Sequence, residues 1–157
     1  MDIQTKQEHD YDDAAQALLE SAYYVIDLLP RQVPEKNGGQ FFAVEPFFLQ
    51  PEQLRELYRR FAQVLLKLNC YYDIAVGGEE ENWIENPAPQ ALVERVLRCA
   101  GSGYLVFLLP SEDAMITLSG GDLCMTVYHP SPSLLETVTP LAQAEGLFVW
   151  QPPQKEE

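Results

Sequence analysis

The last third of the sequence lacks positive charge, since no Lys or Arg lies between Cys99 and Gln154. The whole chain carries 10 basic against 24 acidic residues, which gives a formal net charge of −14. A charge of this sign repels nucleic acid phosphates and anionic lipid headgroups, whereas it speeds association with basic proteins. We therefore expect no nucleic acid and no membrane among the partners, and we expect a basic protein instead.

Cysteine is scarce as well. The three cysteines, Cys70, Cys99 and Cys124, lie far apart and form no C-x-x-C motif, whereas a secreted disulfide framework favours an even set. Residues 1–13 are polar and acidic, unlike a secretory signal. No apolar run approaches the roughly 18 residues that a membrane-spanning helix needs. The sequence predicts a cytoplasmic protein with three reduced thiols.

Catalytic and metal-binding motifs are missing too. The glycine pairs fit neither the G-x-x-x-x-G-K-[ST] nor the G-x-G-x-x-G pattern of phosphate-binding loops. The two histidines are far apart, and the sequence has no cluster of cysteines and histidines. Cys124 and His129 share one predicted strand, but a spacing of five residues points their side chains to opposite faces. Glu112 and Asp113 lie in a predicted turn and would need a cleft with shifted pKa values to act as acid and base. We expect no enzyme activity, no cofactor and no metal.

Helical and strand patterns alternate along the chain. Apolar periodicity predicts four helices, over residues 12–29, 51–68, 86–101 and 133–146, and six short strands, over residues 40–44, 71–76, 104–109, 114–118, 123–128 and 147–150. The glycine turn inside 114–128 requires antiparallel pairing. These elements predict a single α+β domain over residues 1–157. Its architecture is a two-layer sandwich of about four helices on a mixed, partly antiparallel sheet of five or six strands, with residues 1–11 and 151–157 flexible.

An acidic segment around a tryptophan is the best candidate for a binding site. Glu79, Glu80, Glu81 and Glu85 surround Trp83 in what the pattern predicts to be a loop. Tryptophan is a preferred interface anchor, and carboxylates around it favour a basic partner. The alternative is that Trp83 folds back onto the core as a plug, because large aromatic side chains are heavily buried on average.

In size, acidity, missing motifs and mixture of helices and strands, the chain resembles small bacterial immunity proteins, which bind and block a toxin domain. This resemblance implies a non-catalytic protein-binding module, an immunity-type inhibitor of a basic partner. Tyr24, which a helical wheel places away from the apolar face, is a second candidate contact.

Two alternatives remain open. One is a small enzyme or ligand-binding protein whose site is assembled from scattered residues, which a deep pocket around His129 or Glu112 would indicate. The other is a homo-oligomer subunit that pairs through a strand edge such as residues 147–150.

Overall fold

A computed structural model describes residues 3–35, 38–78 and 81–153, with the backbone alone for residues 3–5 and 81. The helices are α1 (Ile3–Leu18), α2 (Phe41–Phe48), α3 (Pro51–Leu68), α4 (Pro89–Ser102) and α5 (Pro132–Ala144), with a 3-10 turn at Pro110–Glu112. The strands are β1 (Tyr23–Asp27), β2 (Ala75–Gly78), β3 (Glu81–Glu85), β4 (Tyr104–Leu109), β5 (Ala114–Ser119), β6 (Cys124–Tyr128) and β7 (Phe148–Trp150).

All seven described strands join one sheet in the order β3-β2-β4-β5-β6-β1-β7, and every neighbouring pair is antiparallel. The predicted α+β class is therefore confirmed. In detail, the described part of the chain has five helices rather than about four, and seven strands rather than five or six. The sheet is antiparallel throughout its described strands rather than mixed. Strand β1 lies between β6 and β7, and β3 and β7 form the edges.

The two faces of the sheet have different covers. Along β4, Leu105, Phe107 and Leu109 join the main core under α3, α4 and α5, whereas Val106 and Leu108 project to the second face. This alternation is the period-two pattern of a strand that is buried on both sides. On the second face a smaller apolar cluster packs against α1. The predicted two-layer arrangement thus describes the α3–α5 side, and α1 adds a partial third layer.

Helix α3 provides the centre of the core, as its apolar stripe predicts. The side chains of Leu57, Phe61, Val64 and Leu68 are buried, while the basic residues of the helix lie on its other side. The Tyr58 hydroxyl lies 2.8 Å from the carbonyl oxygens of both Ser119 and Asp122, and it shares its single proton between these two acceptors. These bonds satisfy a polar atom inside the core and fix α3 against the turn between β5 and β6.

The helix predicted over residues 12–29 is confirmed as far as Leu18 and is wrong beyond that residue. The chain leaves the helical conformation after Leu18, where the Ser21 hydroxyl donates to the Leu18 carbonyl at 2.6 Å, and β1 then begins at Tyr23. Aromatic and β-branched residues fill β1, and they favour a strand whose neighbours supply the packing. Tyr24 consequently lies opposite Val127 and packs against the main core, not on an outward helix face.

Three further predictions of local structure need correction. The segment 1–11, expected to be flexible, is helical from Ile3 onward. The strand predicted over residues 40–44 is wrong, because these residues begin the helix α2. The predicted strand 71–76 starts late, at Ala75, and continues into a hairpin with β3. The structure confirms β4, the β5–β6 hairpin and the short final strand β7.

Candidate interaction surfaces

The acidic segment predicted to bind a partner is only partly described. Glu79 and Glu80 lie outside the described residues. Residues 81–85 form the edge strand β3 and not a loop, because β2 pairs with them from Ala75 to Gly78. The predicted loop is therefore wrong over this part, and Trp83 and Glu85 belong to a regular sheet edge.

The Trp83 side chain is half-buried between α1 and the sheet. Its Nε1 donates to Asp12 Oδ1 at 2.8 Å, and its ring lies 5.4 Å from the ring of Tyr11. Gly77 on β2 makes room for the indole, since a Cβ built there would lie 2.5 Å from a ring atom of Trp83. The geometry favours the plug alternative, in which Trp83 joins α1 to the sheet.

We predict that Trp83→Phe loosens α1 more than the core. The change keeps an aromatic ring but removes the indole N–H, so Asp12 loses a donor; a hydrogen bond to a charged group typically stabilises by about 1.5–3 kcal/mol, and less at an exposed site. Hydrogen exchange should become faster in α1 and stay unchanged in β4 and β5. Trp150→Phe is the matched control. Equal exchange in α1 for both variants would contradict this role.

Carboxylates nevertheless collect beside Trp83. Glu8 and Asp12 on α1 line a groove of about 580 Å³ whose apolar floor includes Val106 and Met115. The nearby Glu85 accepts a hydrogen bond from the Tyr11 hydroxyl at 3.2 Å. We name Glu8, Asp12, Glu85 and the flanking strand β3 the acidic edge. It offers negative charge and an unpaired strand edge within the described part of the chain.

A second surface is formed by α2, which the sequence analysis missed. This eight-residue helix contains four phenylalanines, yet none of its residues is buried. Phe42 is 84% exposed and Phe47 is 47% exposed, and Val44 and Leu49 are exposed beside them. Isolated exposed apolar residues are ordinary, but a concentration in one element marks an interaction site. We name Phe42, Val44, Phe47 and Leu49 the α2 patch.

Behind the α2 patch lies a groove of about 760 Å³ between α2 and the β7 end of the sheet, which we name the α2 groove. Phe41, Val44 and Phe48 form its helical wall, and Leu29 and Trp150 form part of the opposite wall. The Trp150 Nε1 donates to the Leu29 carbonyl at 3.0 Å, which fixes the indole at the rim. The groove is therefore mainly apolar and continuous with the exposed helix.

Polar groups occur at the sheet side of the α2 groove. Asp27, Asp122 and Cys124 all line it. Burial raises the pKa of Asp27, although hydrogen bonds from the backbone of Leu28 and Leu29 oppose this shift. Burial, with the charges of Asp27 and Asp122, raises the pKa of Cys124 to about 12. The Cys124 thiol therefore stays protonated at neutral pH and is a poor nucleophile.

Of the residues weighed for catalysis, Cys124 lines the α2 groove, whereas His129, Glu112 and Asp113 line neither groove. His129 is exposed, and its Nδ1 lies 2.8 Å from the backbone oxygen of Asp113. Glu112 belongs to the 3-10 turn after β4. Among the described residues, no group of three or more histidine, cysteine or acidic side chains is arranged to hold a metal ion. Within the same ranges, no helix combines the length and apolar character needed to cross a membrane.

One sequence signal could have revealed the α2 patch. Four of the seven phenylalanines of the chain occur in the stretch Phe41–Phe48, interrupted by Glu45 and Pro46. A charge and a proline in so short an apolar run are unusual for a buried strand, since proline removes a backbone donor. Comparison with known proteins adds no relative, because no protein-family model, no curated protein and no solved structure matches this chain.

Proposed function

We propose that this protein is a non-catalytic protein-binding module that captures a basic partner protein through the α2 patch. The observation that carries the proposal is the exposure of α2, an apolar helix without a buried residue. Fully burying a phenylalanine side chain contributes roughly 1.5–3 kcal/mol. A partner that covers Phe42 and Phe47 gains most of this energy at Phe42, which is 84% exposed in the free chain, and about half of it at Phe47, which is 47% exposed.

Electrostatics support a basic partner. The net charge is −14, and the acidic edge concentrates carboxylates at the β3 side of the sheet. Charges of this kind mainly accelerate the encounter, whereas buried apolar anchors slow dissociation. In this proposal the acidic edge, together with Glu79, Glu80 and Glu81, speeds association, and the α2 patch holds the partner. Such a division of labour suits an immunity-type inhibitor, which must find a basic toxin quickly and retain it.

Paired affinity captures test the proposal. The wild-type chain and the Phe42→Ser, Phe47→Ser double variant serve as baits in a lysate of the native host. The control is Tyr71→Ser, which removes a side chain that is 69% exposed beyond the far end of α3. Since α3 has 18 residues, about 27 Å of helix separates the two places.

A basic protein should be recovered with the wild-type and control baits and lost with the double variant. Recovery of the same protein with all three baits would show that α2 is not part of the interface. Size-exclusion chromatography of the purified chain addresses the alternative of a homo-oligomer. A dimer that the double variant converts to a monomer would mean that α2 binds a second copy and not a basic partner.

A reducing, cytoplasmic environment is part of the proposal. Cys70, Cys99 and Cys124 are all free thiols, and they are exposed, buried and half-buried respectively. We expect a thiol reagent to modify Cys70 alone within minutes on the folded protein, because the other two are shielded and the Cys124 thiolate is suppressed by its raised pKa. Protein alkylated after denaturation directly from cells should show three free thiols. A disulfide in that sample would contradict the proposed reducing environment.

A further inference from the structure

The α2 groove is negative as well as apolar. Its charged lining residues within the described part of the chain are Asp27, Asp122 and Glu45 against Arg31 alone. Asp27 and Cys124 are paired across β1 and β6, and Asp27 also pairs with Phe148 on the other side. The neighbouring residues Ile26, Met125 and Val149 join the main core, so the side chains of Asp27 and Cys124 project from the second face of the sheet. Both of these side chains line the groove.

An occupant of this groove must satisfy two demands. The walls formed by Phe41, Phe48 and Trp150 require apolar bulk, because polar groups there would lose their hydration. Asp27 is partly desolvated, and a cation beside it restores the favourable interaction that water no longer supplies. A chain segment with an aromatic or aliphatic side chain next to an ammonium or guanidinium group meets both demands.

The extent of the α2 groove and the adjoining α2 patch favours a protein segment over a small molecule as the occupant. The groove opens directly onto Val44, which is shared with the α2 patch, so one occupant can cover the groove and the outer side of the helix together. We infer that the α2 groove receives a segment of a partner protein in which a large apolar side chain stands next to a lysine or arginine. This inference rests on the proposed function and specifies the chemistry of the partner at that site.

Matched peptides provide the probe. Acetylated, amidated pentapeptides of sequence Gly-Phe-Lys-Phe-Gly, Gly-Phe-Glu-Phe-Gly and Gly-Ser-Lys-Ser-Gly differ in charge alone or in apolar bulk alone. The chain contains two tryptophans, one at each candidate surface, so their indole N–H signals in a nitrogen–proton NMR spectrum report the place of binding. The Trp83→Phe variant assigns the two signals.

We expect the Phe-Lys-Phe peptide to shift the Trp150 signal while the Trp83 signal stays in place. The Phe-Glu-Phe peptide should bind at least about tenfold more weakly, since an opposite charge within hydrogen-bonding distance of a carboxylate is replaced by a like charge. The Ser-Lys-Ser peptide should cause no shift at Trp150. Equal affinity for the first two peptides, or a shift at Trp83 alone, would overturn the inference.

Carboxylate variants make the test specific to named residues. Asp122→Asn and Asp27→Asn should each reduce the preference for the lysine peptide, whereas Asp113→Asn, at an exposed acid outside the groove, should retain it. If Asp27→Asn disturbs folding, Asp122→Asn alone decides, because its side chain is exposed. An unchanged preference in Asp122→Asn and a folded Asp27→Asn would contradict the role of these carboxylates.

The outcome is separable from that of the proposed function. If the double variant of α2 loses the captured partner while no peptide shifts Trp150, the binding function stands and the groove chemistry is wrong. If the lysine peptide binds at Trp150 while the double variant keeps the partner, the groove chemistry stands and the capture of that partner through α2 is wrong.

Discussion

Replacing Phe42 and Phe47 together by serine is expected to shorten the lifetime of the partner complex about 30-fold or more. Aromatic anchors at an interface commonly contribute 2 kcal/mol or more, and each 1.4 kcal/mol corresponds to a factor of ten. The loss should occur in the dissociation rate, because neither side chain is charged and long-range attraction is unchanged. Surface plasmon resonance with the captured partner at two salt concentrations separates the two rates.

The matched charge variant should show the opposite pattern. Changing Glu79, Glu80 and Glu81 together to glutamine should slow association, most clearly at low salt, and leave dissociation nearly unchanged. Trp83→Ala should affect binding only to the extent that it displaces α1, because Trp83 is already engaged by Asp12 and Tyr11. A double variant of α2 with wild-type dissociation would contradict the assignment of the holding role to the α2 patch.

Replacing Phe61 by alanine is expected to lower the free energy of unfolding by about 3–5 kcal/mol. Phe61 is fully buried in the middle of α3, and its ring lies 5.2 Å from that of Tyr58. Deleting the ring removes apolar burial and leaves a cavity that a helix flanked by α4 and α5 cannot easily close. Urea denaturation followed by circular dichroism measures the change.

Phe42→Ser is the natural comparison for that measurement. It removes the same kind of side chain from a site that is 84% exposed, so its effect on stability should be within about 0.5 kcal/mol, as is usual for surface substitutions. Similar losses in the two variants would show that Phe42 belongs to the core. A negligible loss of unfolding free energy in Phe61→Ala would contradict the burial of Phe61 between α3 and the rest of the core.

The sequence predicted best those elements whose pattern is unambiguous. Helix α3 has a proline as its first residue, and its apolar residues recur every three or four positions. Its buried face was therefore predictable residue by residue. The run of β4 and the glycine turn between β5 and β6 likewise allow one reading. These elements form the centre of the fold, where local preference and burial agree.

The sequence misled where tertiary contacts decide. Val25, Ile26 and Leu29 continue a helical spacing that starts at Ala14, but β1 is stabilised by pairing with β6 and β7, which are distant in sequence. The acidic sequence of β3 is like that of a solvent-exposed loop, since β3 is an edge strand that is paired on one side only among the described strands. The sequence did not reveal that Trp83 donates a hydrogen bond to Asp12 on α1, because the two residues lie 71 positions apart.

The candidate site was harder to predict than the fold. A short apolar stretch such as that of α2 reads as a buried strand, since sequence alone does not show whether a partner or the core covers it. The groove carboxylates Asp27 and Asp122 lie 95 positions apart in sequence and line the same groove because β1 pairs with β6. Their joint presence beside apolar walls is visible only in the folded chain.

Hydrogen exchange of the chain with and without its captured partner tests the central claim most directly. The α2 helix has no buried residue of its own, so its amides should exchange quickly in the free protein. Partner binding should slow exchange throughout Phe41–Phe48 and in the part of β1 that lines the groove, with a smaller change or none in α4. Slowed exchange confined to other elements, with α2 exchanging at its free rate in the saturated complex, would contradict the account.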